Sequence, residues 1–497
     1  MTALDPGLVD ALGADLRSAG YTVDSVADLL GAEADAALGR GVWWPALRAT
    51  HAAPPERQRL AVLVRLFLLG SDETHDQVEA ALPSTPLRAL IDGGVLAGTG
   101  GTVCAVLDIR PHSDGVRDFL VVSDQDAALR SGPLQRDHVL GIGGASMSLA
   151  RAVIRTPVDR ALDLGTGCGI QALHLDAHCA EVVATDTNAR ALALASATAR
   201  LNGMSWDLRH GSLFEPVAGE RFDLIVSNPP FVVGPGARDY TYRDSGLAGD
   251  ALCRNLIEQI RDHLAPGGTA HLMANWIVRS GGDWRGRVHG WLAGTGLHAW
   301  VVQRELADPI SYVSLWLADA GETSAQTAQR GGEWLDWFAE QNIDGVGMGV
   351  ISLRAPRGGE TPEQVLEEIT GADELVTGTE VDAFFARRAY LRDTSDDALL
   401  AARLSTAPVF LEEQSLPGPD GWQQVGAAVR RPGGPGAVVG VDDVMTALLA
   451  GCRGEVPLGT LIELLATHHG VDTGALAQAA LPEVREAIGR GILYQAD

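Results

Sequence analysis

The segment Phe222-Asp-Leu-Ile-Val-Ser-Asn-Pro-Pro-Phe231 decides how this chain is read. Phe222 to Ser227 is a mostly apolar run suited to a buried strand, and Asn228-Pro229-Pro230-Phe231 predicts a stiff exit loop at the open end of a sheet. Pro229 and Pro230 fix two φ angles and carry no N–H, so the loop presents carbonyl acceptors free of competing backbone donors. The side-chain oxygen of Asn228 and a backbone carbonyl of the Pro-Pro step can each accept one N–H of a planar NH2 group. Phe231 can stack on that group's plane. A carboxamide or exocyclic amine nitrogen is a poor nucleophile because its lone pair is delocalised; two acceptors that favour a pyramidal nitrogen make it reactive, and neither has to titrate. Asn-Pro also serves as an ordinary turn, and the tetrapeptide alone does not separate the two readings.

The sequence upstream does. Ala161 to Leu164 is a short apolar strand, after which Gly165, Gly167 and Gly169 let the backbone turn tightly before a helix beginning at Ile170. The triplet departs from the dinucleotide fingerprint, which would place a glycine at position 170. Asp186 follows 21 residues after Gly165, at the end of the strand Val182-Val-Ala-Thr-Asp186, where a carboxylate can accept both hydroxyls of a ribose. A helix cap is the competing role for Asp186, since Asn188 and the helical run Ala189 to Leu201 come next. Further on, Leu256 to Leu264 predicts a helix stopped by Pro266-Gly267-Gly268, and Thr269 to Asn275 a strand. Tyr312 to Leu317 and Val346 to Leu353 are apolar, alternating or β-branched runs suited to a terminal antiparallel hairpin. Alternating strands and helices predict a doubly wound α/β sheet with its ligand at the carboxyl ends of the strands. All three motifs fall on that edge.

Residues from about 130 to 357 resemble a class I S-adenosylmethionine-dependent methyltransferase of the group that methylates N5 of glutamine, N6 of adenine or N2 of guanine. The resemblance implies a Rossmann-like sheet, S-adenosylmethionine as cofactor, and Asn228, Pro229, Pro230 and Phe231 as the catalytic motif. It further implies that Asp163, Gly165, Thr166, Gly167 and Gly169 lie under the methionine part of the cofactor. Asp186 would hold the ribose, with Thr187 and Asn188 beside it, and Asn228 would border the cofactor as well. The group usually supplies an Asp to the adenine amine from the segment that is His210-Gly-Ser-Leu-Phe214 here. This chain has Ser212 at that place, a weaker uncharged acceptor, so either the backbone of Leu213 carries the contact or cofactor affinity is modest. Asp137 to Ser146 occupies the place of a loop that closes over the cofactor. Glutamine methyltransferases usually have Tyr where this chain has Phe231, whereas Phe is familiar among enzymes acting on nucleic-acid amines.

Composition bounds the surroundings. The 497 residues carry a formal net charge of −26, and every one of the 38 basic residues is arginine. A balance this acidic argues against extended phosphate contact, though not against a local arginine patch. The loop Val232 to Asp250, with Arg238, Tyr240, Tyr242, Arg243 and Asp244, is expected to touch the substrate. Its two arginines suit either a phosphate or an acidic protein surface. The expected partner is therefore a macromolecule: a protein such as a translation factor, or RNA or DNA. No run approaches the roughly 20 apolar residues of a membrane span, and the N-terminus lacks a signal-peptide pattern, so a cytoplasmic location is expected. Five cysteines without a CxxC fit reduced thiols, with Cys168 a small filler in the glycine turn rather than a nucleophile. The pair His468-His469 lacks metal-site spacing and is placed at a helix end, so no metal is expected.

The expected domains are an N-terminal accessory domain (1–128), the methyltransferase domain (129–357) and a C-terminal accessory domain (358–497), the last joined through Arg357-Gly-Gly-Glu-Thr-Pro362. Leu8 to Ser18, Val26 to Leu38, Arg57 to Leu69, Thr74 to Leu82 and Leu87 to Ile91 predict helices. They are followed by Gly94-Val-Leu and the β-rich pieces Val103 to Ile109 and Asp118 to Val122, an order that resembles a winged helix. The end of the chain echoes it: Leu461 to Thr467, Gly474 to Leu481 with Pro482, then Val484 to Ile488 and Gly491-Ile-Leu493. Such modules read DNA or dock proteins; the recognition helix near Leu87 holds only Arg88 as a basic residue, which favours protein docking. Two other functions are compatible with parts of the pattern. A hydroxyl methyltransferase would need a base or metal, and the histidine nearest the NPPF loop in the chain is His210, 18 residues before Asn228. A non-catalytic cofactor-binding module would have no use for an intact Asn228-Pro-Pro-Phe231.

Overall fold

Parallel pairing of three short buried strands organises the centre of the chain. In the computed structural model, which describes residues 4–126, 129, 134–236, 241, 244–318, 323–369, 371, 374–419 and 421–496, these are β1 (Val158–Leu164), β2 (Cys179–Asp186) and β4 (Phe222–Ser227). With β3 (Asp207–His210), β5 (Leu264–Arg279), β6 (His298–Ala307), β7 (Ile343–Arg354) and β8 (Gln364–Glu368) they form one eight-stranded sheet. Its order is β3-β2-β1-β4-β5-β7-β6-β8. β1 to β5 run parallel, and β7 lies antiparallel to β5. The central strands have apolar middles because helices cover both faces: Leu162, Val183, Ile225 and Val226 are fully buried.

Helices α1 (Gly144–Ala152), α2 (Ile170–Leu175), α3 (Ala189–Leu201), α4 (Ala251–His263) and α5 (Trp284–Leu292) accompany the sheet. A helical pair, α6 (Pro309–Ala318) and α7 (Ser324–Glu340), is inserted between β6 and β7. Here the structure departs from the sequence reading. Tyr312 to Leu317 is helical, and the strand next to β7 on the side away from β5 is the earlier His298–Ala307. The local signals are a cap and a proline. Asp308 Oδ1 accepts from the backbone N–H of Ile310 (2.9 Å) and Ser311 (3.0 Å), and Pro309 opens the helix. Val346 to Leu353 does lie in the expected strand, β7.

The chain divides into two compact units. One comprises residues 1–150, 155–301 and 305–365, the other 151–154, 302–304 and 366–497. In the first, helices over Gln58–Leu63, His75–Ala81 and Leu87–Asp92 surround a small antiparallel sheet. Its central strand, Thr102–Ala105, pairs with Glu73–Thr74 and Leu96–Thr99. The expected helix Val26 to Leu38 is two helices, Val23–Leu30 and Ala32–Leu38, separated by Gly31 at φ +75°. A hairpin, Leu107–Ser113 with Asp118–Asp124, lies against α3: Leu120 N donates to Asn202 Oδ1 (2.9 Å) and Val122 N to Thr198 Oγ1 (3.1 Å).

In the second unit, helices Asp443–Gly451, Leu458–His469 and Thr473–Gly489 pack on another three-stranded antiparallel sheet. Its central strand, Arg403–Thr406, pairs with Arg453–Pro457 and Leu493–Gln495. Both small sheets thus have a central strand between two antiparallel partners, but the central strand follows the helices in the first and precedes them in the second. Gly474 to Leu481 and Val484 to Ile488 lie in one helix, Thr473–Gly489, which continues through Pro482. Buried Leu481, Val484, Ala487 and Ile488 hold the helix across a proline whose missing N–H costs about 3 kcal/mol. His468 and His469 sit in the last turn of Leu458–His469. Among the described residues no helix is long and apolar enough to cross a membrane.

Candidate active site

Sheet register brings the three motifs to one edge. Leu164, the last residue of β1, pairs with Thr185 of β2 on one side and Ser227 of β4 on the other. The glycine loop, Asp186 and Asn228 therefore leave the sheet at the same level, and Ser227 Oγ ties β4 to β1 by donating to Leu164 O (2.7 Å).

The loop is built from glycines in the left-handed region: Gly165 at φ +78°, Gly167 at +56° and Gly169 at +86°. The N–H groups of Gly165 and Thr166 both donate to Thr185 O (2.9 Å each). The three glycines differ in their surroundings. A Cβ on Gly165 or Gly167 would meet nothing within 4 Å, whereas one on Gly169 would lie 2.7 Å from Trp206 Cζ3. Gly165 and Gly167 thus face an open cradle, and Gly169 is the close-packing residue at the start of α2.

Asp163 lies beneath this loop and is fully buried. Its Oδ2 accepts from Thr166 Oγ1 (2.6 Å) and from Ala172 N (3.0 Å), while Oδ1 is buried with no hydrogen-bond partner. Burial pushes its carboxyl up to about 7, against the pull of the two hydrogen bonds. Cys168, also buried, has its thiol pushed up to about 12 by burial, so it is a neutral filler.

Asp186 Oδ2 accepts from Gly167 N (2.9 Å) and Oδ1 from Asn188 N (2.8 Å). Burial raises its pKa, and N–H groups of Asn188, Gly167 and Thr187 oppose that rise. The helix cap belongs to Asn188, whose Oδ1 accepts from Arg190 N (2.9 Å). A carboxylate has about four acceptor positions, so Asp186 keeps capacity for a diol after its two backbone bonds. Thr187 O is bonded to His210 Nε2 (2.9 Å), which anchors His210 at the end of β3. Ser212 is exposed, and Leu213 beside it sits at φ +48°. Among the described residues Leu213 and Asn342 are the non-glycine residues with positive φ, a strained conformation that clusters at ligand sites.

Asn228 is half-buried at the end of β4, with Pro229 buried and Pro230 and Phe231 half-buried. Its Nδ2 donates to Ser146 Oγ (3.3 Å), and its Oδ1 is buried with no hydrogen-bond partner. An orphaned buried acceptor costs about 1 to 3 kcal/mol, so it persists where something else is served by it. Ser146 is in turn fixed through its carbonyl, which accepts from Gln171 Nε2 (2.8 Å) on α2. Asp137 O accepts from Asn188 Nδ2 (3.0 Å), so the segment from Asp137 to Ser146 spans from the helix after Asp186 to Asn228. Sequence reasoning placed a closing segment there without naming Ser146 as the partner of Asn228. Arg238, Tyr240, Tyr242 and Arg243 lie outside the described residues; Asp244 borders a cavity of about 180 Å3 beside the loop after Phe231.

Strand order, the antiparallel β7, the glycine cradle, Asp186 and the NPPF loop define the central domain as a class I methyltransferase domain. Residues 142–280 match the family described as methyltransferase small domain. Residues 18–106 and 382–495 match two families, each described as a domain of unknown function. The chain is 38% identical over 119 residues to a release factor glutamine methyltransferase of Geobacter sulfurreducens, covering 22% of this chain and 42% of that protein. It is 29% identical over 263 residues to ribosomal RNA small subunit methyltransferase C of Sodalis glossinidius, covering 49% of this chain and 68% of that one. A ribosomal protein uL3 glutamine methyltransferase of Bradyrhizobium diazoefficiens is 32% identical over 150 residues, with 28% and 46% covered. The chain thus spans less than half the length of the Geobacter and Bradyrhizobium relatives. Among solved structures, the Thermus thermophilus 16S rRNA N2 G1207 methyltransferase aligns over 46% of this chain and 62% of its own, at 19% identity and a TM-score of 0.27.

Proposed function

We propose that the chain is an N-methyltransferase that moves a methyl group from S-adenosylmethionine to a planar nitrogen of a macromolecule, either a glutamine carboxamide or the exocyclic amine of adenine or guanine. The observation that carries this reading is Asn228 Oδ1, a buried acceptor without a partner, on a residue that leaves the sheet at the same level as the glycine loop.

The residues present fit the cofactor. Gly165 and Gly167 leave space where side chains would stand, Asp186 keeps acceptor capacity for a diol, and the strained backbone at Leu213 supports a contact to the adenine in place of the absent Asp at Ser212. Asp163 and Thr166 act from below, by holding the loop. S-adenosylmethionine, when bound, supplies an electrophilic methyl group. The chain's own part is to hold the acceptor. Asn228 Oδ1 takes one N–H of the NH2 group, a carbonyl of the Pro229-Pro230 step takes the other, and Phe231 stacks on the plane. These contacts strengthen as the nitrogen becomes pyramidal and positive, so they favour the transition state over the ground state. Ser146 holds the Asn228 amide in place by taking up Nδ2. No base is needed before attack, consistent with His210 being engaged by Thr187 O.

A cytoplasmic enzyme acting on translation components fits the names of its relatives, which act on release factor, ribosomal protein or ribosomal RNA. The experiment is to incubate the protein with methyl-labelled S-adenosylmethionine and a lysate from cells lacking it, then to treat the product with protease or nuclease. Label released by protease alone assigns a protein acceptor and points to glutamine, and label released by nuclease alone assigns a nucleic-acid acceptor and points to a base amine. Label in neither macromolecule contradicts the proposal and supports a small-molecule acceptor.

A further inference from the structure

The helical pair α6–α7 grips the backbone just beyond the NPPF loop, and it does so with side chains. Val233 N donates to Tyr312 Oη (2.9 Å), and Val233 O accepts from Trp334 Nε1 (3.0 Å). Both polar backbone groups of one residue, two positions past Phe231, are therefore held by rings from the insert. Tyr312 Oη is itself fixed, because Asn275 Nδ2 on β5 donates to it (2.9 Å). Tyr312 is fully buried and Trp334 is 6% exposed. The indole lies so close to Gly234 that an added Cβ there would be 3.1 Å from its Nε1. Phe231 meets Trp316 of α6 edge to face, with ring centres 6.1 Å apart and planes at 71°. The same Trp334, with Val232, Gly234, Arg330 and Glu333, walls the 180 Å3 cavity beside the loop.

Pro229 and Pro230 have no N–H to bind, so half of the motif offers no donor to a backbone ladder. Something outside it has to set where Asn228 and Phe231 stand, and transfer is sensitive to misplacement of about 1 Å. We infer that Tyr312 and Trp334 are positioning residues that hold the acceptor loop for methyl transfer, making the inserted pair α6–α7 part of the acceptor side of the site. The inference rests on the methyltransferase reading for its effect on turnover, while the grip on Val233 can be measured without any acceptor.

The test compares Tyr312→Phe and Trp334→Phe with the wild-type full chain. Each variant keeps a ring: Tyr312→Phe loses the bonds from Val233 N and Asn275 Nδ2, and Trp334→Phe loses the bond to Val233 O, so if one fails to fold the other still decides. Hydrogen exchange followed by mass spectrometry reads the peptide containing Val233, calorimetry reads the Kd for S-adenosylmethionine, and label transfer to the lysate fraction methylated by the wild type reads turnover. The expected result for Tyr312→Phe is exchange at the Val233 amide at least tenfold faster. For both variants kcat should be 10- to 100-fold lower, with the cofactor Kd within about twofold of wild type. A purely structural role would move cofactor binding together with turnover. Unchanged exchange in Tyr312→Phe, wild-type turnover in either variant, or loss of turnover only in proportion to lost cofactor binding overturns the inference. A wild type that labels nothing contradicts the proposed function instead, and exchange at Val233 then decides the grip by itself.

Discussion

Asn228 and Ser146, 82 residues apart in the chain, are joined by a hydrogen bond of 3.3 Å from Nδ2 to Oγ, which leaves Asn228 Oδ1 as the free acceptor of that amide. On the proposed function, this bond sets which end of the amide is offered to the acceptor nitrogen. Ser146→Ala should lower methyl transfer roughly five- to tenfold, the value of one neutral hydrogen bond of about 1 to 1.5 kcal/mol, with cofactor Kd unchanged. Single-turnover kinetics beside calorimetry would check it; an equal loss in both would place Ser146 in cofactor binding.

Asp186 joins the cradle to the second strand. Asp186→Ala removes the acceptor proposed for a ribose together with the bond to Gly167 N. Hydrogen bonds to a charged acceptor are worth about 1.5 to 3 kcal/mol each, so the Kd for S-adenosylmethionine should rise tenfold to a hundredfold or more. Calorimetry showing no change would remove Asp186 from the site.

Gly165 and Gly169 share a positive φ but not a neighbourhood. Gly169→Ala drives a Cβ to 2.7 Å from Trp206 and should destabilise the fold by about 2 to 4 kcal/mol, strain and clash together. Gly165→Ala meets open space, so its loss of stability should be about 1 to 2 kcal/mol and its main effect weaker cofactor binding. Thermal melts with and without cofactor separate the two, and the reverse ranking would contradict the cradle.

Burial pushes the carboxyl of Asp163 up to about 7 in the folded protein, from an ordinary value of 3.8. The folded state therefore binds this proton more tightly. Its contribution to stability is full below about pH 4 and is lost as pH rises through 7, on the order of a few kcal/mol. Asp163→Asn should flatten that fall, as read by denaturant melts between pH 4 and 8. A pH profile identical to wild type would mean that the carboxyl is not protonated in the fold.

Much of the site was legible because its constraints are local. Glycines at 165, 167 and 169 and prolines at 229 and 230 restrict backbone geometry in ways their own residue types announce. Asp186 was placed by its position at a strand end, and parallel register then aligned it with Asn228 without further information. Tyr312 to Leu317 was misread because a short apolar run fits a strand and a buried helix equally, and arbitration lay outside it, in the cap at Asp308 and in Pro309. The partners of the loop were invisible for another reason. Ser146 with Asn228 and Tyr312 with Val233 are contacts across 82 and 79 residues, and no periodicity or spacing encodes such pairs.

The central claim is that Asn228 Oδ1 serves the transition state rather than the cofactor. Methyl transfer from labelled S-adenosylmethionine to the acceptor fraction, measured for wild type and Asn228→Ala with cofactor Kd determined on the same samples, tests it directly. Turnover should fall roughly 10²- to 10³-fold while the Kd stays near wild type, as expected when a transition-state hydrogen-bond partner is removed. Turnover within a few fold of wild type in Asn228→Ala would contradict the account.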